Sequence, residues 1–335
     1  VVTKVIAEGG SKFSVGVAMC VYNGARYLPD QLSSIAQQTE LPQRVVILDD
    51  GSTDGSLELL QAWAATAPFE VIVNSNTEKL GVVRNFERAC ALLQQDIVFL
   101  CDQDDIWFPD KVATFLAAFA DRPAVALLHS NASLIDADGR PLGWSLFDAL
   151  LVTPKERELV RAGEAWKVYA KRNLVTGAAC AFRRELLDHA VPFSVHWVHD
   201  EWLAFIASLV AQVGVIEAPC MSYRLHSGNT VGLPVPTLKW RVSSIYHALT
   251  APTVSRQRAR ADRLEEMRTK ALELGVRGPI LEHLELAAKH ARFRSQLPPS
   301  FFGRLARILQ ERRTGYYHAW SNGEISMLHD LLIPR

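Results

Sequence analysis

Apolar runs and amphipathic stretches alternate through the first hundred residues, and each apolar run ends in a polar turn. The runs at 14–21, 44–48, 69–74 and 96–100 are rich in β-branched and aromatic residues and bounded by polar ones. That is the pattern of short buried strands. Residues 25–38 and 81–95 read as helices between them, and Leu57, Leu60 and Trp63 recur at helical spacing in a third. Ser52 or Asp54 is suited to cap that third helix. Strands alternating with helices predict an α/β chain with a doubly wound, mostly parallel sheet. Further strands are expected at 124–129, 175–183 and 213–217, with a turn at 136–139 and a helix around 201–210. The pattern assigns no element to 144–170.

Beyond about Thr237 the texture becomes helical. Leu264, Met267, Ala271 and Leu274 recur on one face, and Ile280, Leu284, Ala287 and Ala291 on another. The last segment joins Phe301, Leu305, Ile308 and Leu309 to Arg304, Arg307, Arg312 and Arg313. The expected organisation is therefore an α/β domain over 1–236 and a helical C-terminal appendage over 237–335, able to meet a membrane.

Composition narrows this picture. The 335 residues, 49% of them hydrophobic, suffice for one large core plus an appendage. The 36 basic and 36 acidic residues cancel, so no overall field favours nucleic acid. The five cysteines show no paired metal-ligand spacing and read as reduced core residues. No apolar stretch is long enough to span a bilayer, and the opening residues lack a signal-peptide pattern. The expectation is a cytoplasmic protein, soluble or peripheral on the inner face of the cytoplasmic membrane.

Candidate chemistry gathers where strands end. Cys101-Asp102-Gln103-Asp104-Asp105 closes the fourth strand, at the sheet edge where open α/β folds place ligands. Crowded carboxylates are costly unless they share a cation, and oxygen ligands of this kind suit Mg²⁺ or Mn²⁺. An acidic loop capping the helix near Pro109 is the plainer alternative. Asp49-Asp50-Gly51-Ser52 ends the second strand on the same edge. A carboxylate there accepts the N3–H of uracil or thymine, or else caps a helix. No phosphate-binding loop and no Gly-x-Gly-x-x-Gly follows the first strand, which argues against a dinucleotide-dependent oxidoreductase.

The set Val17-Ala18-Met19-Cys20-Val21-Tyr22-Asn23-Gly24, Ile47-Leu48-Asp49-Asp50-Gly51-Ser52-Thr53-Asp54 and Cys101-Asp102-Gln103-Asp104-Asp105-Ile106-Trp107 resembles the family 2 glycosyltransferases over residues 14–232. The resemblance implies the GT-A fold and inverting, metal-dependent transfer from a nucleotide-sugar. His199-Asp200-Glu201-Trp202 and the segment Tyr223 to Gly232 are similar to the bacterial rhamnosyltransferase branch, which builds surface polysaccharides such as O-antigen from dTDP-L-rhamnose. That branch has an aromatic residue where this chain has Glu201.

Carried over residue by residue, the resemblance implies that Cys20, Tyr22 and Asp50 hold the base, with Arg84 near the nucleotide. Asp102 is then expected by the ribose with Gln103 beside the nucleotide-sugar, and Asp104 and His226 on the metal. Asp200 is the expected general base and Glu201 its reserve. Gly177 is expected to line the sugar pocket, Arg224 to approach the diphosphate, and Trp107 and Trp202 to contact sugar or acceptor. The implied partners are a dTDP-L-rhamnose donor and a glycan or lipid-linked oligosaccharide acceptor. A UDP-hexose donor, a nucleotidyltransferase and a silent assembly subunit stand as alternatives.

Overall fold

The structure, a computed structural model, describes residues 13–229, 233 and 254–332. Its first half is built from β1 (Val15–Val21), α1 (Leu28–Ala36), β2 (Arg44–Asp49), α2 (Ser56–Ala64), β3 (Glu70–Ser75), α3 (Val82–Ala91) and β4 (Ile97–Cys101). These strands pair in parallel in the order β3-β2-β1-β4, with Val17 of β1 opposite both Val45 and Phe99. Strands buried on both faces carry continuous rather than alternating apolar residues, and β1, β2 and β4 do so. The chain moves outward from β1 to β3, then returns to the other side of β1 as β4. Strand order therefore reverses between β1 and β4, and their carboxyl ends frame a crevice of the kind that binds ligands.

Beyond β4 come β5 (Ile106–Trp107), α4 (Lys111–Asp121), β6 (Val125–Ile135) and β7 (Pro141–Ser145), then α5 (Leu146–Ala149), α6 (Pro154–Arg161) and α7 (Ala165–Tyr169). A 3₁₀ turn (Gly177–Ala179), β8 (Cys180–Arg183), α8 (Leu187–Ala190), α9 (His199–Val210) and β9 (Gln212–Arg224) follow. The sheet continues β4-β8-β6-β9-β5. β8 runs antiparallel to both β4 and β6, and β9 parallel to β6. The parallel pattern read from the sequence holds through the first four strands, and the sheet is mixed beyond them.

Three local expectations change. Residues 175–183 form a strand only from Cys180 onward, because the Gly177 N–H bonds to Asp200 rather than to a neighbouring strand. The strand expected at 213–217 extends to Arg224, where it pairs β5. Ser52 and Asp54 are not the N-cap of α2, which is Gly55, although Asp54 Oδ1 accepts the N–H of Ser56, the helix's first residue (3.1 Å). The Ser52 and Asp54 side chains accept backbone N–H groups of Asn23 (2.8 Å) and Ala25 (3.0 Å), bracing the loop after β1 against the loop after β2.

The described residues divide into two compact units. One holds the sheet: residues up to Leu150, Val175–Ala207 and 211–229. The other holds Leu151–Leu174, Ser208–Val210 and the C-terminal helices α10 (Val254–Glu273), α11 (Pro279–Ser295), α12 (Phe301–Arg312), α13 (Tyr316–Trp320) and α14 (Glu324–Leu332). The expected boundary at 236/237 lies outside the described residues, and 151–174 groups with the C-terminal helices. In this second unit Leu297, Ile308, Tyr317 and Met327 form a small core. Beside it Arg294 donates to both oxygens of the buried Asp330 (2.6 and 3.1 Å) and Tyr317 Oη donates to Asp330 Oδ2 (2.9 Å).

Candidate active site

The crevice is built from strand ends. β1 delivers Cys20 and Tyr22, β2 delivers Asp49 and Asp50, and β4 delivers the acidic turn Asp102–Asp105. Gln103 locks two of these together: its Oε1 accepts the Tyr22 N–H (2.7 Å) and its Nε2 donates to the Tyr22 carbonyl (3.1 Å). Gln103 thus positions the β1 loop, and a side chain at Gly24 would collide with it.

Asp50 is buried, and its carboxylate accepts the Leu80 N–H (2.7 Å), the Gly81 N–H (2.9 Å) and Asn76 Nδ2 (2.9 Å). A carboxylate offers about four acceptor positions, so one stays open. Asn76 is held in turn by Asn85 Oδ1 (2.8 Å) and by Arg88, which donates to its Oδ1 (2.6 Å). This Asn76–Asn85–Arg88 network, with both asparagines buried and Arg88 at the surface, was not foreseen from sequence; an asparagine just after β3 and another on α3 were its only signal. Tyr22 is exposed with Lys79 Nζ 3.4 Å above its ring, and Cys20 is half-buried. Burial, then the charges around it, pushes the Cys20 thiol well up. Arg84 pairs with Glu87 on its own helix.

The acidic turn divides its labour. His226 Nδ1 accepts the Gly228 N–H (3.1 Å), which leaves Nε2 to carry the ring proton and donate it to Asp104 Oδ2 (2.7 Å). The imidazole stacks on Tyr27 at 4.6 Å. Asp105 points inward: its Oδ1 accepts the Arg224 N–H (2.9 Å), and burial pushes its carboxyl well up. Arg224, expected near the diphosphate, is engaged by the protein itself. Its buried guanidinium donates to the Asp104 carbonyl (2.7 Å), the Ala137 carbonyl (3.3 Å) and Asp30 (3.0 Å), so it holds the turn from behind.

Burial, then the charges of Asp104 and Asp200, pushes the Asp102 carboxyl up to about 7. Asp104 and Asp200 therefore act on one common neighbour, although 96 positions separate them in the chain. Asp200 opens α9, where its Oδ1 accepts the Glu201 N–H (2.6 Å) and its Oδ2 the Gly177 N–H (2.7 Å). Burial outweighs those two bonds and raises Asp200 to about 7. Gly177 is needed for close approach, since a Cβ there would sit 2.8 Å from His199 Nε2. The same turn is held by Lys111, fully buried, which donates to the Ala178 carbonyl (2.7 Å) and lies 4.0 Å from the Trp107 ring centre. Burial lowers its ammonium to about 8. A lysine in an apolar helix face was its only sequence signal.

Two aromatic expectations are corrected. Trp107 is enclosed between Phe99 and Lys111, and Trp202 packs on Trp197 and Phe205 with its Nε1 donating to the Ala190 carbonyl (2.8 Å). Both are core residues, because β5 and α9 turn these faces inward.

Among the described residues no cluster of three or more His, Cys, Asp or Glu side chains is arranged around one cation position. Asp104 Oδ2 and His226 Nε2 lie 2.7 Å apart. A pair of protein donors completed by substrate phosphates is a usual arrangement for Mg²⁺ or Mn²⁺, so Asp104 fits such an ion, and His226 fits it in the tautomer that carries its proton on Nδ1, with the Gly228 N–H turned away.

A carboxylate-rich crevice at the switch point of a half-parallel, half-mixed sheet defines a GT-A type of protein. The family model "Glycosyl transferase family 2" matches residues 16–189, and the chain belongs to that family. It is 33% identical over 220 residues to the dTDP-rhamnosyl transferase RfbG of Shigella flexneri, covering 64% of this chain and 73% of that relative. The chain spans under two thirds of other curated relatives it matches, 66% of one and 62% of another. In fold it is similar to S. aureus TarS 1-349 in complex with UDP-GlcNAc, with a TM-score of 0.52, 18% identity and 92% and 89% of the two chains covered. It is also similar to the mannosyltransferase PcManGT of Pyrobaculum calidifontis in complex with GDP-Man and Mn2+ (0.51, 19%, 95% and 86%).

Proposed function

We propose that this chain is an inverting, metal-dependent glycosyltransferase that moves L-rhamnose from dTDP-L-rhamnose to a hydroxyl of a bacterial surface-polysaccharide acceptor, with Asp200 as general base. The observation that carries the reading is the joint action of Asp104 and Asp200 on Asp102. It supports one crevice serving both the leaving diphosphate and the attacking hydroxyl.

Inversion needs the acceptor oxygen to attack the anomeric carbon from the face opposite the leaving nucleotide. Asp200 takes the hydroxyl proton, and a base whose pKa lies near the working pH does this well. The N–H groups of Gly177 and Glu201 hold its carboxylate in one orientation. Asp50 receives the base through its open acceptor position, and Asp102 faces the ribose. Asp104 and His226 would hold the divalent ion, which when bound supplies Lewis acidity at the diphosphate. The kinship with RfbG supports a dTDP-rhamnose donor. A lipid-linked acceptor would place the chain at the inner face of the cytoplasmic membrane.

The test is nucleotide release with a panel of donors and acceptors. Turnover with dTDP-L-rhamnose, lost in Asp200→Asn with donor affinity kept, is the expected result. Strict preference for UDP-hexoses would refute the donor assignment, and near-normal turnover of Asp200→Asn the base.

A further inference from the structure

The C-terminal unit carries a surface of its own. α12 and α14 run antiparallel: Arg304 Nε and Nη2 donate to the Leu331 carbonyl (3.0 and 2.9 Å), and Arg312 pairs with Glu324 at the other end (3.3 Å). Ile308 and Met327 close their inner faces. The outer faces carry Phe301, Phe302 and Leu309 on α12 and Ile325, Leu328 and Leu332 on α14, all exposed, Phe302 at 80% and Ile325 at 65%. These are six of the sixteen large exposed hydrophobics among the described residues, on two short helices. Arg312 lies three positions after Leu309, and Glu324 four before Leu328, so their bridge springs from the same outer faces. The two apolar stripes therefore lie side by side as one patch, larger than scattered surface residues explain.

Charge identifies what covers it. Glu311 is paired with His290 (2.9 Å), Asp330 with Arg294 (2.6 Å), and Glu324 with Arg312 and His318 (3.6 Å). Every carboxylate of the two helices is thus matched, while Arg313, on the same side as Phe302 and Leu309, forms no ion pair among the described residues; Arg307 lies over the Phe293 ring (5.3 Å), away from the stripe. A second copy seated two-fold on this patch would bring the Arg313 side chains of the two copies toward each other. An anionic bilayer satisfies both the apolar faces and Arg313. No helix among the described residues is long and apolar enough to cross a membrane, which leaves lying in its surface.

We propose that α12 and α14 together form a docking surface for anionic lipid, with Phe301, Phe302, Leu309, Ile325, Leu328 and Leu332 entering the interface and Arg313 meeting headgroups. This deepens the reading above by naming the surface at which a lipid-linked acceptor is met. Flotation of the full chain with phosphatidylcholine vesicles, with and without phosphatidylglycerol, tests it.

The chain is expected to float with the anionic vesicles. Phe302→Ser/Ile325→Ser/Leu328→Ser lowers that partition by about tenfold or more, and Arg313→Gln by roughly fivefold with a weaker salt dependence. Circular dichroism and donor-nucleotide binding, unchanged in both variants, exclude misfolding as the cause. Equal flotation of the triple-serine variant and the parent overturns the proposal. So does a parent that is dimeric in sedimentation, becomes monomeric in that variant and never floats, since a second copy then owns the patch. Flotation without sugar transfer would count against the enzymatic reading and leave this one standing.

Discussion

Asp200 shows how burial converts a common side chain into a base suited to neutral pH. Its carboxyl rises to about 7 because desolvation exceeds the help of two backbone N–H groups. The base works only when ionised, so kcat/KM should climb with pH through about 7. Asp200→Asn should cost roughly 10²–10⁴-fold in kcat and abolish that acid limb, with donor KM nearly unchanged. A pH–rate profile of both proteins decides it; an acid limb that persists in the variant would move the base elsewhere. Stability carries the opposite sign. With a folded-state pKa above the usual 3.8, Asp200 favours the folded state below that value and loses this contribution as pH rises through about 7. Asp200→Asn should therefore raise the thermal midpoint by about 2–4 °C at pH 8 and leave it nearly unchanged at pH 3.

At the level of elements, loops are held by buried polar side chains rather than by sheet bonds. Asn76 bridges the end of β3 to Asp50 and to α3 through bonds of 2.8–2.9 Å. Asn76→Ala strands acceptors on Asp50 and Asn85, and should cost about 1–3 kcal/mol in urea unfolding while raising the donor KM. A variant with unchanged donor KM would remove Asp50 from the nucleotide site. The 3₁₀ turn at Gly177–Ala179 is equally constrained, between Lys111 below and His199 and Asp200 beside it. His199 is stacked on Phe86 at 4.0 Å and has little room to yield. Gly177→Ala should accordingly lower kcat by about tenfold or more through displacement of Asp200, with donor binding retained by calorimetry.

Over the whole molecule, two compact units rest on different forces. The sheet unit has a continuous apolar core, whereas the C-terminal unit surrounds a small core with the buried Arg294–Asp330 pair. Removing one partner of such a pair leaves an uncompensated charge, so Asp330→Ala should cost about 3–5 kcal/mol. Hydrogen exchange should show the loss in α11–α14 and spare β1–β4; uniform loss would mean that the two units unfold as one. Chelation of divalent ions should abolish turnover, with recovery on adding Mg²⁺ or Mn²⁺. Full turnover in chelator would exclude Asp104 and His226 from metal ligation.

The order of strands and helices in the first hundred residues was readable from periodicity, because strands buried on both faces need unbroken apolar runs. The capping boxes Ser145–Asp148 and Thr153–Glu156, which start α5 and α6, were equally local signals in a stretch left unassigned. The acidic turn stood out as a run of residue types, and Asp200 only through the family resemblance. What the sequence could not express was direction. Trp107 and Trp202 resembled sugar platforms, and Arg224 a phosphate ligand, until packing turned them inward. The extra length of β9, the antiparallel seat of β8 and the shared neighbourhood of Asp104 and Asp200 all depend on contacts between distant segments. Periodicity reports which residues avoid water, but only the closed sheet decides which buried group faces the crevice and which faces the core.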